Sequence, residues 1–159
     1  MIIMGVAGSG KTTIGKLLAE KLACPFHDAD DFHPAANKEK MGKGIPLTDL
    51  DRLPWLRTIA EEMKKWEATN PKTVLACSAL KQKYRDLLAK ENSVQWVYLK
   101  GNMAFIRQRL ENRQDHFMKT EMLESQFGDL EEPEEAIVID INSDSDRMVD
   151  EIIVKLKKV

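Results

Sequence analysis

The stretch GVAGSGKT, Gly5 to Thr12, fits the pattern G-x-x-x-x-G-K-[ST], and its surroundings are those the pattern requires. Met1 to Met4 precede it as an apolar strand, and Ile14, Leu17, Leu18 and Leu22 follow it at helical spacing. A strand, a glycine-rich turn and a helix in that order make an anion cradle. Glycine lets successive backbone N–H groups converge, and the helix start adds free N–H groups and the positive end of its dipole. Gly5, Val6, Ala7, Gly8, Ser9 and Gly10 supply the cradle, Lys11 can reach β- and γ-phosphate oxygens, and the Thr12 hydroxyl stands where a Mg²⁺ ligand is needed. Thr13 comes one residue too late for that role. The residue types therefore point to ATP with Mg²⁺.

Working outward, the chain alternates strand and helix. Pro25–Ala29, Thr73–Cys77, Val94–Leu99 and Ala136–Ile141 read as further strands after the first. Helical patterns fill the gaps: LPWLRTIAEEMKKW with Pro54 in its first turn, then Ala79–Ala89 capped by Ser78, Asn102–Arg113 and Ser145–Lys157. The expected fold is a doubly wound α/β domain with a parallel five-stranded sheet, whose ligands sit beyond the carboxyl ends of the strands. Its 159 residues at 43% hydrophobic content suit one domain.

Charge and cysteine usage narrow the partners. Lys plus Arg at 24 against Asp plus Glu at 26 leaves a net charge of −2, which argues against nucleic acid or an anionic membrane as partner. No apolar run is long enough to span a membrane, and the amino terminus lacks the features of a signal peptide, so a cytoplasmic location is expected. Cys24 and Cys77 lie far apart and read as reduced, packed thiols.

Three constellations follow strand ends. HDADDFHP crowds Asp28, Asp30 and Asp31, where alternation puts Asp28 and Asp30 on one side of an extended chain. One can assist a metal and the other can accept a proton from a hydroxyl nucleophile; the competing interpretation is an acidic, helix-capping turn. His33 is a loop histidine near that cluster, and His27 a packed strand residue. In CSALKQKYRDLL, Lys81 and Arg85 stand four apart and can bind an anionic acceptor, or be two solvated cations on a surface helix. Arg109 and Arg113 repeat that spacing ahead of DHFMKTEMLESQFGDLEEP, a strandless stretch of the kind that closes over phosphates, while Met118, Met122, Leu123 and Phe127 read as core.

Together, GVAGSGKT, DADDFHP, NKEKMGKGIPLTDLDRLPWL, CSALKQKYRDLL, YLKG and HFMKTEMLESQFGDLEEP resemble the small P-loop gluconate kinases over nearly the whole chain. Shikimate and nucleoside monophosphate kinases of similar architecture share the phosphate loop but not the run from His33-Pro34 to Trp55-Leu56. The resemblance implies transfer of the ATP γ-phosphate to the 6-hydroxyl of D-gluconate by a homodimer, with an acceptor-binding insertion over residues 31–52 and a lid over 113–133. It implies that Asp30 acts on the acceptor hydroxyl and Arg113 serves as the lid arginine. Arg109 is expected on the ATP side, and His33, Lys81, Arg85 and His116 on the acceptor side. Cys77 and Ser78 end the third strand where many phosphate-loop proteins carry a metal-supporting Asp, so Asp28 is the candidate for that duty beside Thr12. Aromatic content of 6% fits a polyol carboxylate acceptor better than a nucleobase, so a nucleotide kinase is the weaker alternative. A hydrolytic switch needs no second polar pocket and is weaker still.

Overall fold

The computed structural model of the protein describes residues 1–112 and 120–158. Five strands, β1 (Ile2–Met4), β2 (Phe26–Asp28), β3 (Val74–Ala76), β4 (Trp96–Lys100) and β5 (Ile137–Asp140), pair in parallel in the order β2-β3-β1-β4-β5. The chain builds β2 and β3 on one side of β1 and then crosses to build β4 and β5 on the other. That reversal opens a crevice at the carboxyl end of β1. Register makes the crevice usable: Ile3 and Asp28 both lie opposite Ala76, so β1, β2 and β3 end nearly level. The phosphate loop, the acidic cluster and Ser78 are thereby set side by side, and Gly5 N–H donates to the Ser78 carbonyl at 3.4 Å.

Period-two alternation in β1 divides the core. Ile3 faces α1 (Lys11–Lys21), α5 (Met103–Glu111), α6 (Thr120–Asp129) and α7 (Ser145–Leu156), packing with Ile14, Leu18, Ile106, Leu123, Val149 and Ile152. Ile2 and Met4 face α3 (Asp49–Thr69) and α4 (Gln82–Ala89), packing with Trp55, Leu56, Ile59, Met63, Tyr84 and Leu88. Sheet faces covered on both sides explain why the strands read as continuous apolar runs. Met122, Leu123 and Phe127 lie in or against this core as the sequence suggests.

Several boundaries differ from the sequence reading. α3 begins at Asp49, because Thr48 and Asp51 form a reciprocal capping box: Thr48 Oγ1 accepts from Asp51 N–H at 3.2 Å, and Asp51 Oδ2 accepts from Thr48 N–H at 2.8 Å. Pro54 thus stands inside the helix rather than in its first turn. The carbonyl that its missing N–H leaves over belongs to Leu50, a residue open to water. α4 starts at Gln82, and Ser78 does not cap it. Ala79 takes a left-handed conformation (φ +43°), which turns the chain before the helix and leaves Ser78 lining the crevice. Residues 31–52 comprise the end of a 3-10 turn (Ala29–Phe32), α2 (Ala35–Gly42), an irregular stretch over 43–48 and the start of α3.

Candidate active site

Gly10 precedes α1 with φ +97° and no side-chain cap, a conformation that glycine adopts without strain. The first N–H bonded back along the helix is that of Ile14, to the Gly10 carbonyl at 2.9 Å. Among the described residues no protein acceptor meets the N–H groups of Gly8, Gly10, Lys11, Thr12 or Thr13, and no acidic residue occupies the first turn of α1. Donors left open at a helix start form the anion cradle that the motif calls for. Gly8 (φ +78°) closes it tightly, since a Cβ there would come within 2.9 Å of the Leu110 side chain. The Lys11 ammonium donates to the Val6 carbonyl at 3.0 Å. Desolvation lowers its pKa, and the charges of Asp30, Cys77 and Asp28 oppose that shift.

Beside the cradle lies a cavity of about 410 Å³, within the roughly 300–1,000 Å³ range of small-molecule sites. At the end of β2, Asp28 uses both carboxylate oxygens: Oδ2 accepts from the Thr12 hydroxyl at 2.7 Å, and Oδ1 accepts from Asp30 N–H at 3.1 Å and caps the 3-10 turn. Holding the Thr12 proton turns that hydroxyl's lone pairs outward, the orientation a cation ligand needs. Among the described residues no group of three His, Cys, Asp or Glu could hold a metal ion alone. A Mg²⁺ bound mainly through phosphates and water needs only such a hydroxyl, so Thr12 with Asp28 behind it fits that ion.

Asp30 stands open to the cavity. Partial desolvation and the neighbouring Asp28 carboxylate push its pKa up, against the pull of Lys11, although most of the side chain is exposed. His33 is buried and stacks on Trp55 with centroids 4.2 Å apart. Desolvation, with Lys38 and Arg52 nearby, lowers its pKa to about 4, so it is neutral at physiological pH. The Asn37 amide donates to the Asp51 carbonyl at 2.9 Å and to His33 Nδ1 at 3.4 Å. The ring proton therefore sits on Nε2, which faces Asp30 Oδ1 at 3.7 Å.

Lys81 and Arg85 depart from the sequence reading and do not form an anion-binding pair. Arg85 turns inward and donates to the carbonyls of Ala79 (2.9 Å) and Leu80 (3.0 Å) and to Gln82 Oε1 (2.7 Å), pinning the left-handed turn. With α4 starting later than expected, Lys81 lies ahead of the helix. It pairs with Asp49 (3.0 Å) and Asp129 (3.2 Å), away from the cavity lining. Arg109 lies on α5 with its guanidinium 5.4 Å from the centre of the Phe105 ring, also off the lining. Arg113 and His116 lie outside the described residues.

The residue that sequence reasoning missed is Arg52. Among the described residues, it and Lys11 are the only Lys or Arg side chains that line the cavity. Its Nη1 donates to Asp129 Oδ2 at 2.9 Å and to the Tyr84 hydroxyl at 3.1 Å. Nε and Nη2 have no protein acceptor among the described residues and remain for a ligand. The signal was present, since Arg52 lies in the DLDRLPWL run, but helical periodicity by itself does not say which exposed cation faces a cavity.

A family model described as shikimate kinase matches residues 7–157. The probable gluconokinase of Xenopus tropicalis is 43% identical, over 96% of this chain and 90% of its own length. The thermoresistant gluconokinase of Escherichia coli (strain K12) is 41% identical, over 99% of this chain and 93% of its own. The crystal structure of a gluconokinase from Sinorhizobium meliloti 1021 matches with a TM-score of 0.90 at 36% identity, over 99% of this chain and 90% of that one. The match at this level covers the chain nearly end to end, and on these grounds the chain belongs to the gluconokinase family, within the wider shikimate-kinase-like group of phosphate-loop kinases.

Proposed function

We propose that the protein transfers the γ-phosphoryl group of ATP to the 6-hydroxyl of D-gluconate, yielding 6-phospho-D-gluconate and ADP. The observation that carries this reading is Arg52, a partly uncommitted guanidinium in the same cavity as the phosphate cradle, Asp30 and His33. A guanidinium fork matches a carboxylate in two parallel hydrogen bonds. The far end of the acceptor chain then lies toward Asp30. Asp30 accepts the hydroxyl proton as the new P–O bond forms, and its raised pKa makes it a better base than an isolated aspartate. His33 offers a neutral Nε2–H donor to an acceptor hydroxyl.

On the donor side, the free N–H groups of the loop and Lys11 hold the phosphate oxygens and neutralise charge that builds during transfer. Thr12, oriented by Asp28, would hold Mg²⁺, which supplies further neutralisation on the β- and γ-oxygens when bound. Arg113 and His116 are assigned to the lid over 113–133 and Arg109 to the nucleotide side, on family resemblance. A nucleoside monophosphate acceptor fits less well: Trp55 is the one Trp, Tyr or Phe lining the cavity among the described residues, and it is buried under His33. Family membership also supports a homodimer, checked by sedimentation equilibrium. Two free cysteines, Cys77 buried with its thiol pushed up to about 12, agree with a reducing, cytoplasmic setting.

A coupled ADP-release assay across gluconate, other sugar acids, shikimate and nucleoside monophosphates tests the acceptor. Gluconate is expected to give the highest kcat/KM. A higher value for shikimate or for a nucleotide overturns the assignment.

A further inference from the structure

One contact in the phosphate loop comes from far along the chain. The backbone N–H of Ala7 donates to the side-chain oxygen of Gln126 at 2.7 Å, across 119 residues of sequence. Gln126 stands on α6 and lines the cavity with Ser125 and Met122. The N–H groups of Gly8, Gly10 and Lys11 beside it meet no protein acceptor among the described residues, and this amide oxygen occupies the place of an anion's oxygen. The orientation of the amide is not arbitrary, because a backbone N–H can only face Oε1 and Nε2 must point away. Nε2 has no protein acceptor among the described residues, so two donors remain at the cavity.

The helix that carries Gln126 is anchored three residues further on. Asp129 binds Arg52 at 2.9 Å and Lys81 at 3.2 Å, which ties the end of α6 to α3 and to the turn before α4. Gln126 is thereby held over the loop, where its side chain reaches Ala7.

We propose that Gln126 positions the terminal phosphoryl group of the nucleotide. When a phosphate oxygen takes the Ala7 N–H, the Gln126 amide gives up that bond, turns over and donates through Nε2 to the same phosphoryl group. An amide can do this in either direction because its two ends are nearly equal in size and opposite in hydrogen-bonding sense. The inference rests on the phosphotransfer reading above but not on the identity of the acceptor.

The experiment uses the full chain and needs no acceptor for its first readout. Calorimetric Kd values with Mg²⁺ are compared for ADP and for the β,γ-imido analogue of ATP in wild type, Gln126→Ala and Gln126→Met, the last keeping length and packing if the alanine variant folds poorly. ADP affinity is expected to stay within about twofold, while the analogue weakens about tenfold, equivalent to about 1.4 kcal/mol. Turnover should fall by about the same factor or more, with the acceptor KM little changed, as for a contact that tightens in the transition state. An unchanged ratio of the two Kd values overturns the proposal. So does equal tightening of both nucleotides with normal turnover, which would make Gln126 only a plug of the empty loop. Failure of the gluconate reading looks different: wild type would show the nucleotide ratio but no gluconate-dependent ADP release.

Discussion

Two carboxylates two residues apart have separate environments. Asp28 is engaged by Thr12 and by the turn, whereas Asp30 is open to the cavity with its pKa raised by partial desolvation and by Asp28. Asp30→Asn should therefore lose rate at every Mg²⁺ concentration, by the roughly 10²–10⁴-fold typical of a removed general base. Asp28→Asn should instead need more Mg²⁺ and recover much of its rate at saturation. Mg²⁺ titrations at saturating ATP and gluconate check both, and the opposite pattern would exchange the roles. Arg52→Lys keeps the charge and loses the fork. Steady-state kinetics should show the gluconate KM raised about tenfold or more with a much smaller change in kcat, since a carboxylate anchor far from the reacting oxygen holds substrate and transition state alike. A fall in kcat alone would move Arg52 to the phosphate side.

Among the elements, the segment from β3 to α4 shows how a cation expected at the surface becomes internal. Ala79 turns the chain in a left-handed conformation, and the carbonyls of Ala79 and Leu80 then accept from Arg85, with Leu80 also accepting from the Glu131 N–H at 2.9 Å. Arg85→Ala leaves the Ala79 carbonyl unpaired at about 1–3 kcal/mol, less whatever water recovers, while Leu80 keeps the Glu131 N–H. Denaturant unfolding should show a loss of about 1–3 kcal/mol, within the range for a broken buried hydrogen bond. The gluconate KM measured well below the melting temperature should stay within about twofold of wild type. A large KM change with full stability would restore Arg85 to the acceptor site. The sequence spacing of Lys81 and Arg85 was correct as arithmetic, but the helix start on which it depended lay three residues later than expected.

Across the whole molecule, the burial that makes His33 useful also sets an acid limit. Its pKa falls from 6.5 to about 4 in the folded protein, so between those values the unfolded chain binds the extra proton. The contribution is fully present above about pH 6.5 and is lost as pH falls toward 4. A tenfold difference in proton affinity between the two states is worth about 1.4 kcal/mol, which makes a few kcal/mol an upper bound. Asp51, lowered to about 2 by Lys40 and Thr48, extends the loss below pH 4, whereas the raised Asp30 opposes it in the acid range. Unfolding free energy measured from pH 7 to 4 should fall in wild type and fall less steeply in His33→Gln. Equal slopes would mean that His33 charges without cost in the folded state.

Strand-helix alternation, the phosphate cradle, the acidic cluster and the apolar face of α6 were legible in the sequence because each depends on neighbours within a few residues. Glycine permissiveness, the 3.6-residue period and like-charge crowding are local properties, and they predicted Lys11, Thr12, Asp28 and Asp30 as neighbours at one crevice. Tertiary structure alone decided which cation faces that crevice. Arg52 and Arg85 are equally charged in sequence, yet one lines the cavity and the other is held by backbone carbonyls, because a helix start and one left-handed residue determine where each side chain points. The 119-residue span between Ala7 and Gln126 is the same lesson at its longest reach. Their contact exists only because α6 is laid across the open end of the sheet, and no periodicity in the sequence records where one element comes to rest on another.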